Sequence, residues 1–231
     1  IKPSEVTPRF VAPMRAILAE FPELPLAYVQ GGAKTGEALV AAVDYVCFTG
    51  STATGRKVAE AAARALIPAN LELGGKDPMI VTASADPAWA ARIALRASAV
   101  ATGQACQSIE RIYVARAIAE PFLAALVAAA EATMPSGPDA GSGHLGPFIF
   151  PAQADKVAAQ IDEAVAHGAR VLAGGRIETI GGGRYLRPTV LADVTPQMAV
   201  MREETFGPVL PVMIFDDVAE AIAQANDSDY G

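Results

Sequence analysis

The chain has 231 residues, of which 52% are hydrophobic, a formal charge of −7 and two cysteines. That length can bury a core in one large domain or two small ones. The acidic balance is spread without blocks, which argues against nucleic acid and anionic membrane surfaces as partners. No apolar run is long enough to read as a transmembrane helix. Lys2, Glu5 and Arg9 interrupt any secretory signal. Cys47 and Cys106 are too few for a disulfide framework and fit a reducing cytoplasm.

Strand-like and helix-like segments alternate, which predicts an α/β architecture. Thr7-Pro8 reads as a helix start, with Thr7 as N-cap and Pro8 at the first helical position, and the helix runs to about Glu20. Residues 26–30 are expected as a short strand ended by Gly31-Gly32, 35–42 as a short helix, 45–48 as a buried strand, 52–65 as an alanine-rich helix and 68–73 as extended chain. A second unit is expected from Gly74 onward. Its strands are predicted at 79–81, 111–114, 170–172 and 209–215, with extended chain at 185–191. Its helices are predicted at 87–101, 118–134 and 152–167, plus a last one from Asp216 or Asp217 to near Asn226. Residues 135–146, rich in Gly, Pro and Ser, are a loop, and 181–183 a turn. The ends look cut: Ile1-Lys2-Pro3 resembles the tail of a strand, and Tyr230-Gly231 is a turn with no element after it.

Two segments carry candidate chemistry. Gly103-Gln104-Ala105-Cys106 places a thiol among small residues, where a substrate can approach, and a thiolate is a strong nucleophile. Leu71 to Lys76 places Glu72 beside the Gly74-Gly75 pair, and a carboxylate can activate water for the release of a covalent product. Each also has a plainer reading, a buried core cysteine for Cys106 and a surface carboxylate at a strand end for Glu72. Cys47, within Tyr45-Val46-Cys47-Phe48, is assigned to a buried strand. Gly50 to Gly55 forms a glycine-bounded strand–helix turn whose amides suit a phosphate, though it is neither G-x-G-x-x-G nor a P-loop. His144 and His167 are read as incidental, Lys76 as structural, and no residue cluster has metal-ligand spacing.

The chain resembles the NAD(P)-dependent aldehyde dehydrogenase superfamily. The resemblance is carried by Lys2 to Pro8, Phe48 to Thr52, Leu71 to Lys76, Gly103 to Cys106 and Glu203 to Pro208, in the family's order and at about its spacing. It implies the later part of a Rossmann-like cofactor domain over 1–73 and most of an α/β catalytic domain over 74–231, a middle piece of a longer enzyme. It further implies Cys106 as nucleophile and Glu72 as general base, with Lys2, Glu5, Phe48, Gly50, Ser51, Leu73, Gly74, Glu204 and Phe206 at the cofactor. Glu5 as a ribose partner favours NAD, with NADP possible, because a carboxylate repels a 2′-phosphate. Glu72 favours hydrolysis to a free acid over acyl transfer to coenzyme A. The implied substrate is a small-molecule aldehyde, and the implied parent a homo-oligomer, dimer or tetramer. The family's oxyanion asparagine lies upstream of residue 1. The competing expectation is a truncated, catalytically impaired homologue that only binds dinucleotide or a partner.

Overall fold

A computed structural model describes residues 1–137 and 143–230. Positions 138–142 of the predicted loop, and Gly231 of the predicted terminal turn, lie outside the described residues. The chain divides into two compact units, Ile1–Gly74 and Gly75–Gly231.

In the first unit a single 3-10 turn, Pro8–Phe10, leads into α1 (Val11–Leu18), followed by α2 (Ala33–Val40), β1 (Val46–Thr49), α3 (Thr52–Ala65) and β2 (Ala69–Glu72). Pro8 opens the turn as predicted, but Thr7 caps no amide. Its hydroxyl donates to the Ser4 carbonyl instead, at 3.3 Å. Ser51 caps α3 by accepting the Thr54 N–H at 3.4 Å. The helix ends at Leu66 in the left-handed region (φ 57°), a place glycine usually fills. β1 and β2 pair in parallel, Val46 opposite Ala69 through Thr49 opposite Glu72.

Two expectations fail here. Residues 26–30 form no regular strand, although Ala27 and Val29 exchange backbone hydrogen bonds with Ile1. Cys47 is exposed rather than buried. Along β1 the half-buried residues are Val46 and Phe48, and Cys47 and Thr49 face out. An apolar run reads as buried on both faces, but only the face of β1 that bears Val46 and Phe48 is covered.

The second unit is a five-stranded sheet in the order β3 (Asp77–Val81), β4 (Ile109–Ala115), β9 (Val209–Phe215), β8 (Thr189–Ala192), β5 (Arg170–Ala173). The first four strands are mutually parallel and β5 is antiparallel at the edge. The helices are α4 (Pro87–Ala99), α5 (Arg116–Glu131), α6 (Pro151–Ala166), the single turn α7 (Ala199–Arg202) and α8 (Val218–Asn226). A β6 (Ile177–Ile180) and β7 (Gly183–Leu186) hairpin turns at Gly181-Gly182. That hairpin and α7 are absent from the sequence reading, and the predicted extended run 185–191 is divided between β7 and β8. Asp86 and Asp217 cap α4 and α8 with their side chains.

Two hydrophobic cores use the strand alternation of β4 and β9. Ile112, Val114, Leu210 and Val212 join Ala91, Phe122 and Leu126 of α4 and α5. Tyr113, Met213 and Phe215 join Val157, Ile161 and Ala221 of α6 and α8. Helices on both sheet faces explain why β9, and β4 from Ile112 onward, are continuous apolar runs. No helix among the described residues is long and apolar enough to cross a membrane.

Candidate active site

In the second unit the chain leaves α4 through a short turn over Val100–Gly103. The predicted helix to residue 101 stops at Ala99 because Ala101 (φ 53°), Thr102 (φ 62°) and Gly103 (φ 67°) are successively left-handed. Each of the two non-glycine residues carries a cost of about 1–2 kcal/mol. The surroundings hold them there. Thr102 is buried, and its hydroxyl donates to the Gly146 carbonyl at 3.2 Å. The Gln104 amide oxygen accepts the Ile149 N–H at 2.9 Å. A side chain at Gly103 would meet the Gly207 backbone at 2.5 Å and the Ser98 carbonyl at 2.7 Å. Strain of this kind collects at functional loops. It delivers Cys106 exposed, three residues past Gly103, with its thiol donating to the neighbouring Gln107 Oε1 at 3.6 Å.

The turn that carries Glu204 and Phe206 packs on the same loop, since Gly103 abuts Gly207. Gly75 lies between the two. A Cβ there would fall 2.6 Å from the Cys106 carbonyl oxygen, and the Gly75 N–H donates to Glu204 Oε1 at 3.3 Å. Burial first, then the nearby Glu110 carboxylate, pushes the Glu204 carboxyl above the ordinary carboxylate range, against the Gly75 bond. The structure therefore gathers three predicted elements of this unit: Gly103–Cys106, Gly75, and Glu204 with Phe206.

The sequence reading missed what lies beneath them. Lys76 and Glu110 form an ion pair at 2.8 Å with side chains 0% and 3% exposed, and Lys76 Nζ also donates to Thr205 Oγ1 at 2.9 Å. Burial pushes the Lys76 ammonium down, against the pull of Glu110. Removing one member of such a pair costs about 3–5 kcal/mol because the other charge is stranded. On the next residue of β4, Arg111 donates to the Lys76 carbonyl at 2.8 Å and to Gln224 and Ala225 at the end of α8, where a cation complements the helix dipole. The available signal was two adjacent charges, Glu110-Arg111, opening an otherwise apolar strand.

The first unit holds the remaining candidates. Lys2 Nζ donates to the Gly31 carbonyl at 2.9 Å and pairs with Glu5 at 3.3 Å. A concavity of about 260 Å³ is lined by Glu5 together with Ser4, Val11, Gln30 and Gly31. Ser51 stands at the α3 N-terminus. Gly50 has room only because it lacks a Cβ, which would meet the Phe48 ring at 2.5 Å. Gly55 lets α3 approach Leu73, whose Cδ2 would lie 2.4 Å from a Cβ. Glu72 ends β2 exposed, and its carbonyl accepts the Gly50 N–H at 3.0 Å. Gly74 closes the unit half-buried. Among the described residues no group of three or more His, Cys, Asp or Glu is placed to hold a metal. His144 accepts the Met134 N–H at 3.1 Å, and His167 pairs with Glu163.

A largely parallel sheet flanked by helices, with an exposed thiol on a strained loop and the half-buried Glu204 carboxylate on the turn packed against it, defines the second unit as an α/β fold. Residues 1–231 match the aldehyde dehydrogenase family, and the chain belongs to that family. Betaine aldehyde dehydrogenase 1 of Rhizobium meliloti is 44% identical over all of this chain and 48% of its own length. The PutA protein of Anabaena variabilis superposes with a TM-score of 0.97 at 51% identity, over all of this chain and 50% of its own. A 3,6-anhydro-L-galactose dehydrogenase solved in complex with NAP gives 0.93 at 37% identity, again over all of this chain and 50% of its own. The chain spans about half the length of the curated relatives it matches.

Proposed function

We propose that the protein containing this chain oxidises an aldehyde to a carboxylic acid with NAD. The observation that carries this reading is Cys106, exposed on a strained loop that packs against the Glu204–Phe206 turn. The Cys106 thiolate adds to the aldehyde carbonyl and gives a thiohemiacetal. The bound dinucleotide supplies a hydride acceptor for the carbon so activated. Loss of hydride leaves a thioester on Cys106. Glu72 takes a proton from water as the water attacks that thioester, which frees the acid and restores the thiol.

The residues present suit a dinucleotide. The concavity at Glu5 offers a carboxylate for ribose hydroxyls. The α3 N-terminus at Ser51 offers amides and a positive dipole end for phosphates. Phe48, Gly50, Leu73 and Gly74 complete this side in the proposal, and Glu204 and Phe206 meet the nicotinamide end. Glu5 supports a preference for NAD, while nearby Arg9 leaves NADP usable. A cytoplasmic setting and a homo-oligomeric parent remain part of the same proposal.

Peptide mass spectrometry of the full-length protein tests it. Glu72→Gln, mixed with NAD and an aldehyde, is expected to release one burst of NADH and to accumulate an acyl mass on the peptide containing Cys106. Undiminished steady turnover in this variant, or an acyl mass on another residue, sinks the assignment.

A further inference from the structure

Glu110 has no role in the chemistry above, yet it is a carboxylate almost wholly withdrawn from water. Its two oxygens collect three donors. Thr205 N–H reaches Oε2 at 2.7 Å and Phe206 N–H reaches Oε1 at 2.8 Å. Lys76 Nζ reaches Oε2 at 2.8 Å. Phe206 sits at φ 53°, unfavourable for a residue with a Cβ. Successive amides turned by such a residue form a concave nest that anions occupy, and here the anion is the protein's own side chain. The charge-assisted bonds are the short, strong kind, so they hold Phe206 in a conformation it would otherwise leave.

The opposite side of the turn is held differently. Gln153 donates to the Thr205 carbonyl at 2.6 Å and Lys156 to the Glu204 carbonyl at 2.7 Å, both from α6. Glu110 thus fixes the Thr205 and Phe206 amides, while the Glu204 N–H donates to Tyr230 Oη at 3.3 Å. Its partner Lys76 follows Gly75, whose N–H holds the Glu204 carboxylate and whose Cα lies against the Cys106 carbonyl.

We propose that Glu110 is a positioning residue for the dinucleotide. Seated in the Thr205–Phe206 nest and neutralised by Lys76, its carboxylate sets where the Glu204 carboxylate and the Phe206 ring meet the nicotinamide end. The proposal rests on the reading of Glu204 and Phe206 as cofactor contacts.

The test uses the full-length protein, with amide hydrogen exchange in the free enzyme and NADH affinity as readouts. Glu110→Asp keeps a charge for Lys76 but is one methylene too short to reach both amides. Exchange at Thr205 and Phe206 is expected to quicken at least about tenfold, and NADH binding to weaken by about tenfold. Glu204→Gln leaves the nest intact, so it is expected to weaken NADH binding with exchange at those amides unchanged. Should Glu110→Asp not fold, the double variant Lys76→Met with Glu110→Gln removes both buried charges. It is expected to melt near the wild type and still to show fast exchange and weak NADH binding. Unchanged exchange, or fast exchange with wild-type affinity while Glu204→Gln binds weakly, overturns the role of Glu110. Wild-type affinity in both Glu204→Gln and the Glu110 variant shows that the reading of Glu204 is at fault, and the proposal falls with it.

Discussion

The two units bury their elements to different depths. In the first, Val11, Val40 and Ala62 are the buried hydrophobic residues, while Phe10, Ile17, Tyr45 and Leu66 stay exposed. In the second, β4 and β9 are covered on both faces and feed two separate cores. The candidate chemistry follows the same division. Lys2, Glu5, Ser51 and Glu72 rest on a thinly packed surface, whereas Glu204 and Phe206 stand on a turn anchored by buried charge, packed against the loop that carries Cys106.

The contrast between the two thiols is the largest to break. Cys106→Ala is expected to lower NADH formation by the full-length protein at least about 10³-fold, since removal of a nucleophile leaves only residual catalysis. Cys47→Ser, on the exposed edge of β1, is expected to leave the rate unchanged. An initial-rate assay on both variants decides it, and equal loss in both refutes the division of roles.

Packing sharpens the comparison next. Phe122, on α5, is fully buried in the core shared with α4 and the sheet, so Phe122→Ala should cost about 3–5 kcal/mol in denaturant unfolding. Leu66 is 92% exposed and left-handed. Leu66→Gly gives up little buried surface and relieves the strained φ, so it should stabilise by about 0.5–1 kcal/mol. A destabilised Leu66→Gly would mean that the leucine packs on something.

The smallest effect expected is electrostatic. Glu204 is held above its ordinary value of 4.5, first by burial. An acid raised on folding binds more protons in the native state than in the unfolded one. Its contribution is therefore fully present below the unfolded value and is lost as pH rises through the folded one. Glu204→Gln removes that loss. The stability of the variant relative to wild type should rise as pH climbs from about 4.5 toward neutrality, read from paired unfolding curves. A gap independent of pH would show that Glu204 titrates normally.

Much of this was legible in the residues. Helix starts at Ser51, Asp86 and Asp217 are local, because one side chain and its own backbone decide them. The segments 111–114 and 209–215 were read correctly as strands. The same logic misplaced Cys47, because a run of apolar residues records a preference for burial and not whether a second layer arrives to cover it. The hairpin of β6 and β7 was missed although its glycine turn was seen, since pairing depends on a partner strand.

By itself the sequence determined the α/β alternation, several helix starts, the turns and the motif order that leads to the aldehyde dehydrogenase family. These are properties of neighbours along the chain, or of residue types in a fixed order. Only the tertiary structure decided that Gly103 abuts Gly207, that Gly75 holds Glu204 beside the Cys106 carbonyl, and that Lys76, Glu110 and Thr205 share one buried network. Lys76 and Glu110 are 34 residues apart and Glu110 and Thr205 are 95 apart. No periodicity links such positions. They meet because parallel strands bring the starts of β3, β4 and β9 to one end of a sheet, where a buried charge persists only with its partners in place.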